Sequence, residues 1–213
     1  MFGYKQALSV NLNDARLKKL GHNNGITVLS NIENTVFETI NLGTRNGILS
    51  SVQTPTGLLN VFSLYLDDLA EDSRLKQLEE LKRYLTNTPT LVSGDLNTLS
   101  PKDLLENKTR IDSFLKQNPK YFSLTSLLED MARTEVISGL TNLGFSDTDS
   151  NYHPTFPTKL TSLSEAPLIR INFFLSKDIE VKRCETLYGD LYDKASDHYP
   201  LLLEIDLVFW NSY

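Results

Sequence analysis

Apolar residues in the first half of the chain follow two different rhythms. Leu75, Leu78, Leu81 and Leu85 fall on one face with charged residues opposite, which predicts a helix over 74–85 capped by Asp72 or Ser73. Ahead of it, strand-length runs at 26–30, 35–40, 47–52 and 58–66 are separated by short polar or glycine-containing joints. Four runs in succession predict antiparallel pairing, and Asn34, Asn41 and Asn46 sit in the joints as turn formers. The residues before them show little periodicity beyond a short helix at 15–20 and a turn at 21–25.

Beyond the leucine helix, residues 90–94 return to a strand. Ser100-Pro101-Lys102-Asp103 then marks a helix start, with a capping serine, a proline in the first turn and an acid at the third helical position. Leu127, Leu128, Met131, Val136, Leu140 and Leu143 keep helical spacing, predicting one helix over 127–143 that Gly144 ends. Residues 149–167, rich in Ser, Thr, Asn and Pro, predict a surface loop, and strands follow at 168–175, 179–187 and 200–208.

At 213 residues, 40% hydrophobic and 23% charged, the chain is long enough for one domain with a proper core. Its apolar runs are too short to cross a bilayer, and Met1 to Gln6 lack the features of a secretory signal. A cytoplasmic protein is therefore expected, or a chain that has lost its start. The single cysteine, Cys184, excludes an internal disulfide framework and a cysteine-rich metal site. A net charge of -6 counts against a general nucleic-acid grip and favours small phosphorylated substrates, although a local patch would still serve a nuclease.

Two polar clusters at strand boundaries carry the candidate chemistry. The run Thr90 to Gly94 ends in Asp95-Leu96-Asn97, and residues two apart on a strand share a face, so a carboxylate and a carboxamide aim at one small volume. That suits the corner of a metal or phosphate site; it also suits a plain turn. The second cluster, Ser196-Asp197-His198-Tyr199-Pro200, precedes the apolar run Leu201 to Ile205. Between the two lies an apolar stretch, Pro167 to Ser176, interrupted by Arg170 and Asn172. His22 and His153 read as solvated loop residues. Arg74, Arg170 and Tyr65 either reach a phosphate or serve as a helix-face charge, a strand-edge ion pair and a packed aromatic.

In chain order, Gly-Asp-x-Asn (Gly94 to Asn97), Thr-Phe-Pro-Thr (Thr155 to Thr158), Arg-Ile-Asn-Phe-Phe-Leu-Ser (Arg170 to Ser176) and Ser-Asp-His-Tyr-Pro (Ser196 to Pro200) resemble the motifs of the endonuclease/exonuclease/phosphatase superfamily. Gly25 to Ser30 repeats its Gly-x-x-x-Leu-Ser strand, and Gly144 to Thr148 its Gly-aromatic-x-Asp-Thr segment. The resemblance runs from about Gly25 to the end. It implies an α/β fold, a DNase-I-like sandwich of two mixed, mainly antiparallel β-sheets flanked by helices, spanning 1–213 as one domain.

It also implies a Mg2+-dependent phosphoesterase, with Mn2+ as a substitute cation. Asp95 would orient or deprotonate water, Asn97 would contact the phosphoryl group, and Asp197 would support metal binding together with Asp95. His198 would contact a phosphoryl oxygen or move a proton. The implied partners are a phosphorylated small molecule, a lipid headgroup or a nucleic acid.

Three departures from the family pattern qualify this. The family's opening strands, one carrying an Asn and one ending in the Gln-Glu that supplies the main Mg2+ ligand, have no counterpart, so the fold is expected to be N-terminally truncated. The edges left open would be covered by a rearranged N-terminus, a partner protein or self-association. Asn172 replaces the Asp that backs the histidine; an Asn holds an imidazole but does not stabilise its positive charge. Tyr65-Leu66 stands for the common His-Leu pair. These departures also suit a catalytically degenerate family member that acts as a phospholigand- or protein-binding module.

Overall fold

The computed structural model describes residues 3–21, 24–119, 125–161 and 163–206. The chain opens with β1 (Gln6–Asn11), a short helix α1 (Ala15–Lys19) and β2 (Gly25–Ser30), then runs through β3 (Val36–Asn41), β4 (Asn46–Thr54) and β5 (Gly57–Tyr65). Helix α2 (Glu71–Lys82) leads to β6 (Thr90–Asp95). Helices α3 (Pro101–Gln117), α4 (Thr125–Met131) and α5 (Glu135–Asn142) precede β7 (Ser146–Asp147). β8 (Asn172–Lys177), β9 (Glu180–Thr186), a short α6 (Tyr192–Ala195) and β10 (Leu201–Asp206) complete the described chain.

The central layer is a six-stranded mixed sheet in the order β3-β4-β5-β6-β8-β7. Neighbours pair antiparallel except β5 and β6, which are parallel because α2 carries the chain back between them. Alternation along the strands separates two faces. Phe62 and Leu64 on β5, Val92 on β6, and Phe173 and Leu175 on β8 form one core with Leu78 and Leu81 of α2 and Val136, Ile137 and Leu140 of α5. This layered α/β arrangement with flanking helices is the architecture the sequence predicts.

The opposite face is covered by two separate hairpins. β1 pairs antiparallel with β2 and packs on β4, while β10 pairs antiparallel with β9 and contacts β8. The second layer is therefore split, and among the described residues neither β2 nor β10 has a strand on its outer edge. A cavity of about 310 Å³ lies between the hairpins, with Ile26 on one wall, Tyr199 and Leu201 on the other, and Ser63, Ser93 and Phe174 below.

Several boundaries differ from the sequence reading. β1 was not expected, although Leu8, Val10 and Leu12 alternate with Ser9 and Asn11 as a half-covered strand requires. Helix α2 starts three residues earlier than predicted, at Glu71, and its N-cap Ala70 makes no side-chain bond. Asp67 takes over the work expected of Asp72 or Ser73, accepting from the backbone N–H of Leu69 and Ala70 at 2.9 and 3.0 Å. The single helix over 127–143 is two helices. Thr134 adopts φ +59, and the Met131 carbonyl accepts from the Leu99 N–H at 2.9 Å. Residues 168–171 join β8 to a loop through an isolated bridge between Ile169 and Phe156. Ser100 caps α3 in the expected capping box with Asp103. His22 and the end of the 200–208 strand lie outside the described residues, and among those described no helix is long and apolar enough to cross a membrane.

Gly94 permits the close approach of β6 to β5. Its φ is +128, and a Cβ there would lie 1.9 Å from the Leu64 carbonyl oxygen, a backbone atom that cannot swing aside. Gly94→Ala is expected to lower stability by about 1–3 kcal/mol from overpacking, with backbone strain adding to it. Urea denaturation measures the loss, and an unchanged midpoint would show that the strands separate without cost.

Candidate active site

Strand register brings three of the sequence-derived residues into one row. Tyr65 ends β5 opposite Asp95 at the end of β6, and Asp95 in turn lies opposite Asn172 at the start of β8. In-register neighbours present their side chains to the same face, here the one covered by the hairpins. Pairing continues one step past the strand ends, where the Leu66 and Leu96 N–H groups donate to the Asp95 and Ile171 carbonyls, both at 2.9 Å.

The turn after β6 is closed by its own polar residues. Asp95 Oδ1 accepts from the Asn97 N–H at 2.9 Å, and Asn97 takes a left-handed φ of +50 that asparagine tolerates better than most residues. The buried Asn97 carboxamide donates to the Leu66 carbonyl at 3.0 Å, which ties β6 back to β5. The Gly-Asp-x-Asn stretch is therefore a structured turn and a site corner together.

His198 reaches the row from the loop between α6 and β10. Its Nδ1 lies 2.7 Å from Asn172 Oδ1, so Nδ1–H donates and Nε2 is left bare. Nε2 is 3.9 Å from Asp95 Oδ2, and the Phe156 ring lies against the imidazole with centroids 4.9 Å apart. The loop is held by the Thr-Phe-Pro-Thr stretch. Thr155 is fully buried; its hydroxyl oxygen accepts from the Ile171 and Asn172 N–H groups at 3.2 and 3.1 Å, and its carbonyl accepts from the Tyr199 N–H at 2.8 Å. Thr158 adds an N–H to the Asp197 carbonyl at 3.0 Å and a hydroxyl to the Ser196 carbonyl.

Tyr65, Asp68, Asp95, Asn97 and His198 line one cavity of about 180 Å³, whose remaining walls are largely apolar. Asn172 stands behind the imidazole. Asp197 is exposed on the His198 loop, close enough for its charge to act on both Asp95 and His198.

Burial dominates the electrostatics. Desolvation pushes the Asp95 carboxyl up to about 7, reinforced by the negative charges of Asp68 and Asp197 and opposed by the Asn97 N–H and the Arg45 charge. Desolvation lowers the His198 pKa, with Asp197 acting the other way, so the imidazole is neutral at pH 7. The Tyr65 phenol is raised, first by burial and then by Asp95, and stays protonated.

Two features of this site were not read from the sequence. Arg45, 1% exposed, lies under the Tyr65 ring at 4.6 Å and donates to Asp68, Asp14 and the Leu66 carbonyl, while Arg16 also pairs with Asp68 and Asp14. Thr155 is the other; its motif is visible in the sequence, but its bonds to the backbone of Ile171, Asn172 and Tyr199 are not. Arg74 and Arg170 do not face the cavity. Arg74 pairs with buried Glu71 at 2.6 Å, and Arg170 pairs with Asp103 at 2.8 Å and with Asp147, so both serve buried ion pairs. His153 is not merely solvated: its Nδ1 lies 3.1 Å from buried Asp149.

The folded Asp95 pKa of about 7 lies above its ordinary value of 3.8. Between about pH 4 and pH 7 the folded chain thus keeps a proton that the unfolded chain releases, and this residue's contribution to stability falls as pH rises. Asp95→Asn is expected to be more stable than the natural sequence at pH 8, by on the order of a few kcal/mol, with the difference closing toward pH 4. Urea titrations across that range test it; equal stability at pH 8 would show that Asp95 ionises there without penalty. Thr155→Val leaves two backbone N–H groups without their acceptor and is expected to cost about 1–3 kcal/mol. It should also move the His198 ring titration seen by NMR, and an unmoved titration would show that Thr155 does not position the histidine.

No protein-family model and no curated protein sequence matches the chain. Solved structures do. An AP endonuclease from Archaeoglobus fulgidus superposes with a TM-score of 0.61 at 15% identity, over 96% of this chain and 80% of the other. An endonuclease/exonuclease/phosphatase from Bacteroides vulgatus gives 0.61 at 16%, over 95% and 76%. The mannosyl-6-phosphatase Bt3783 of Bacteroides thetaiotaomicron gives 0.55 at 14%, over 97% and 78%. With the mixed six-stranded sheet and flanking helices, these likenesses establish that the chain has the DNase-I-like fold of the endonuclease/exonuclease/phosphatase proteins.

Proposed function

We propose that the chain is a metal-dependent phosphoesterase that hydrolyses a phosphodiester or phosphomonoester. The observation that carries this reading is the convergence of the Asp95 turn and the His198 loop, distant in sequence, on one cavity with Nε2 facing the carboxylate at 3.9 Å. The fold shared with an AP endonuclease and a mannosyl-6-phosphatase supports it.

The donor set suits a hard cation such as Mg2+, with Mn2+ as its substitute, only in a sparse form. Among the described residues no group of three or more His, Cys, Asp or Glu side chains is placed to hold a metal. Asp95 and Asp197 offer two carboxylates, and Mg2+ commonly makes do with one or two plus water and substrate phosphate. When bound there, the cation would neutralise charge on the phosphoryl oxygens.

The side chains supply the rest. Asp95, desolvated in the wall of the cavity, is placed to orient a water or take its proton. Asn97 lines the cavity and already gives one amide hydrogen to Leu66, which leaves the other for a phosphoryl oxygen. The Tyr65 phenol, kept protonated, is a second donor. His198 offers a bare Nε2 for proton transfer, and Asn172 sets its tautomer.

A second reading, a silent family member that binds a phosphorylated ligand, is favoured by Asn172 in place of the expected Asp and by the sparse donor set. The two are separated by Mg2+-dependent release of nitrophenol from bis-p-nitrophenyl phosphate. Turnover abolished by chelation and reduced about 10²–10⁴-fold in Asp95→Ala and His198→Ala is expected. Asn172→Asp should raise the rate tenfold or more, because a carboxylate stabilises an imidazolium that an amide does not. No release in any variant, together with a melting shift on adding phosphorylated ligands, would leave the binding reading.

A further inference from the structure

The walls of the site cavity differ sharply from its polar corner. Beyond Asp95, Asn97 and His198 the same space is lined by Ile111 of α3, Leu128 and Met131 of α4, and Phe156, Ile169 and Ile171 of the loop leading into β8. These residues belong to a second apolar cluster, distinct from the core under α2 and α5. The cavity therefore extends from a phosphate-sized polar corner into that cluster. Its volume of about 180 Å³ is slightly larger than the roughly 150 Å³ apolar cavity that accommodates benzene.

Charge points the same way. Among the described residues no lysine or arginine lines the cavity. The Arg45 guanidinium behind Tyr65 is already engaged by Asp14 and Asp68, and Arg110 of α3 donates to the Leu168 carbonyl. A nucleic-acid backbone or a polyphosphorylated ring would bring several negative charges to walls without a lysine or arginine among the described residues, in a chain of net charge -6. A hydroxyl-rich sugar would lose water to walls that are largely apolar beyond the polar corner. An alkyl or aryl group loses nothing there and gains from leaving water.

We infer that the substrate is a phosphate ester of a compact apolar alcohol, about the size of a six-carbon chain or ring, with its hydrocarbon part in the Ile111–Met131–Ile171 cavity and its phosphoryl group at Asp95 and His198. This rests on the phosphoesterase reading above and specifies it: the apolar walls select the alcohol, and the polar corner handles the ester.

Binding is tested by calorimetric titration of the whole chain, with Mg2+ present, using methyl-, butyl- and hexylphosphonate, which cannot be hydrolysed. Affinity is expected to tighten about three- to fourfold per added methylene until the cavity is filled. Ala166→Trp, a loop substitution that fills the cavity from its rim, should flatten the series while leaving methylphosphonate binding unchanged; Leu163→Trp is the second variant should the first fail to fold. A flat series in the natural sequence, with methylphosphonate still bound, would overturn the inference and leave the phosphoesterase reading standing. Failure of every phosphonate to bind would overturn both. The natural-sequence series decides between these outcomes even if neither variant folds.

Discussion

The site depends on the buried hydroxyl of Thr155. It accepts two backbone N–H groups at the start of β8, where Asn172 is carried, while the carbonyl of the same residue accepts the Tyr199 N–H of the loop carrying His198. One residue thus ties together the two segments whose side chains meet at 2.7 Å. Thr158 secures the same loop at its other end, through the Asp197 and Ser196 carbonyls. Each unsatisfied N–H in this setting would cost about as much as a lost hydrogen bond or more. The arrangement is stiff for that reason.

Holding the histidine so firmly has an electrostatic consequence. The packing that orients His198 also removes water from Asp95, and desolvation moves the two groups in opposite directions, the acid up and the imidazole down. Near pH 7 the imidazole favours its neutral form and the carboxyl is divided between its two forms, so the two groups sit 3.9 Å apart without forming a strong ion pair. Stability is given up at Asp95, as is common where function needs a strained or desolvated group.

What the sequence made legible divides along the same line between local and non-local causes. Strand runs, the leucine stripe of α2 and the Ser100 capping box are set by neighbours in the chain and appear as predicted, although α2 itself takes an earlier start and a different cap. Asp95, Asn97, Asn172, Asp197 and His198 were named from motifs whose order is itself a long-range pattern. The failures lie where distant partners decide. The predicted helix over 127–143 breaks because the Met131 carbonyl is engaged by Leu99, a residue remote in sequence. Of the two arginines read as either phosphate contacts or structural charges, Arg74 pairs with Glu71 three residues before it, whereas the Arg170 partner Asp103 is remote in sequence. β1 is a different failure, since the alternation of Leu8, Val10 and Leu12 was there to be read, but a six-residue signal beside a polar start is weak.

The split second layer gives the site two independent supports. On one side Asp14, just after β1, and Arg16 of α1 engage Arg45 and Asp68, and Arg45 lies under Tyr65. On the other, His198 enters from the residues leading into β10. The two hairpins share no backbone hydrogen bonds among the described residues, so neither can set the position of the other directly. Their common reference is the row Tyr65, Asp95 and Asn172, fixed by the register of β5, β6 and β8. A one-residue slip of β6 would turn Asp95 to the helix face and separate both supports from its carboxylate. Gly94 and the Asn97 carboxamide, which lock β6 against β5 at that point, therefore belong to the chemistry of the site as much as to its fold.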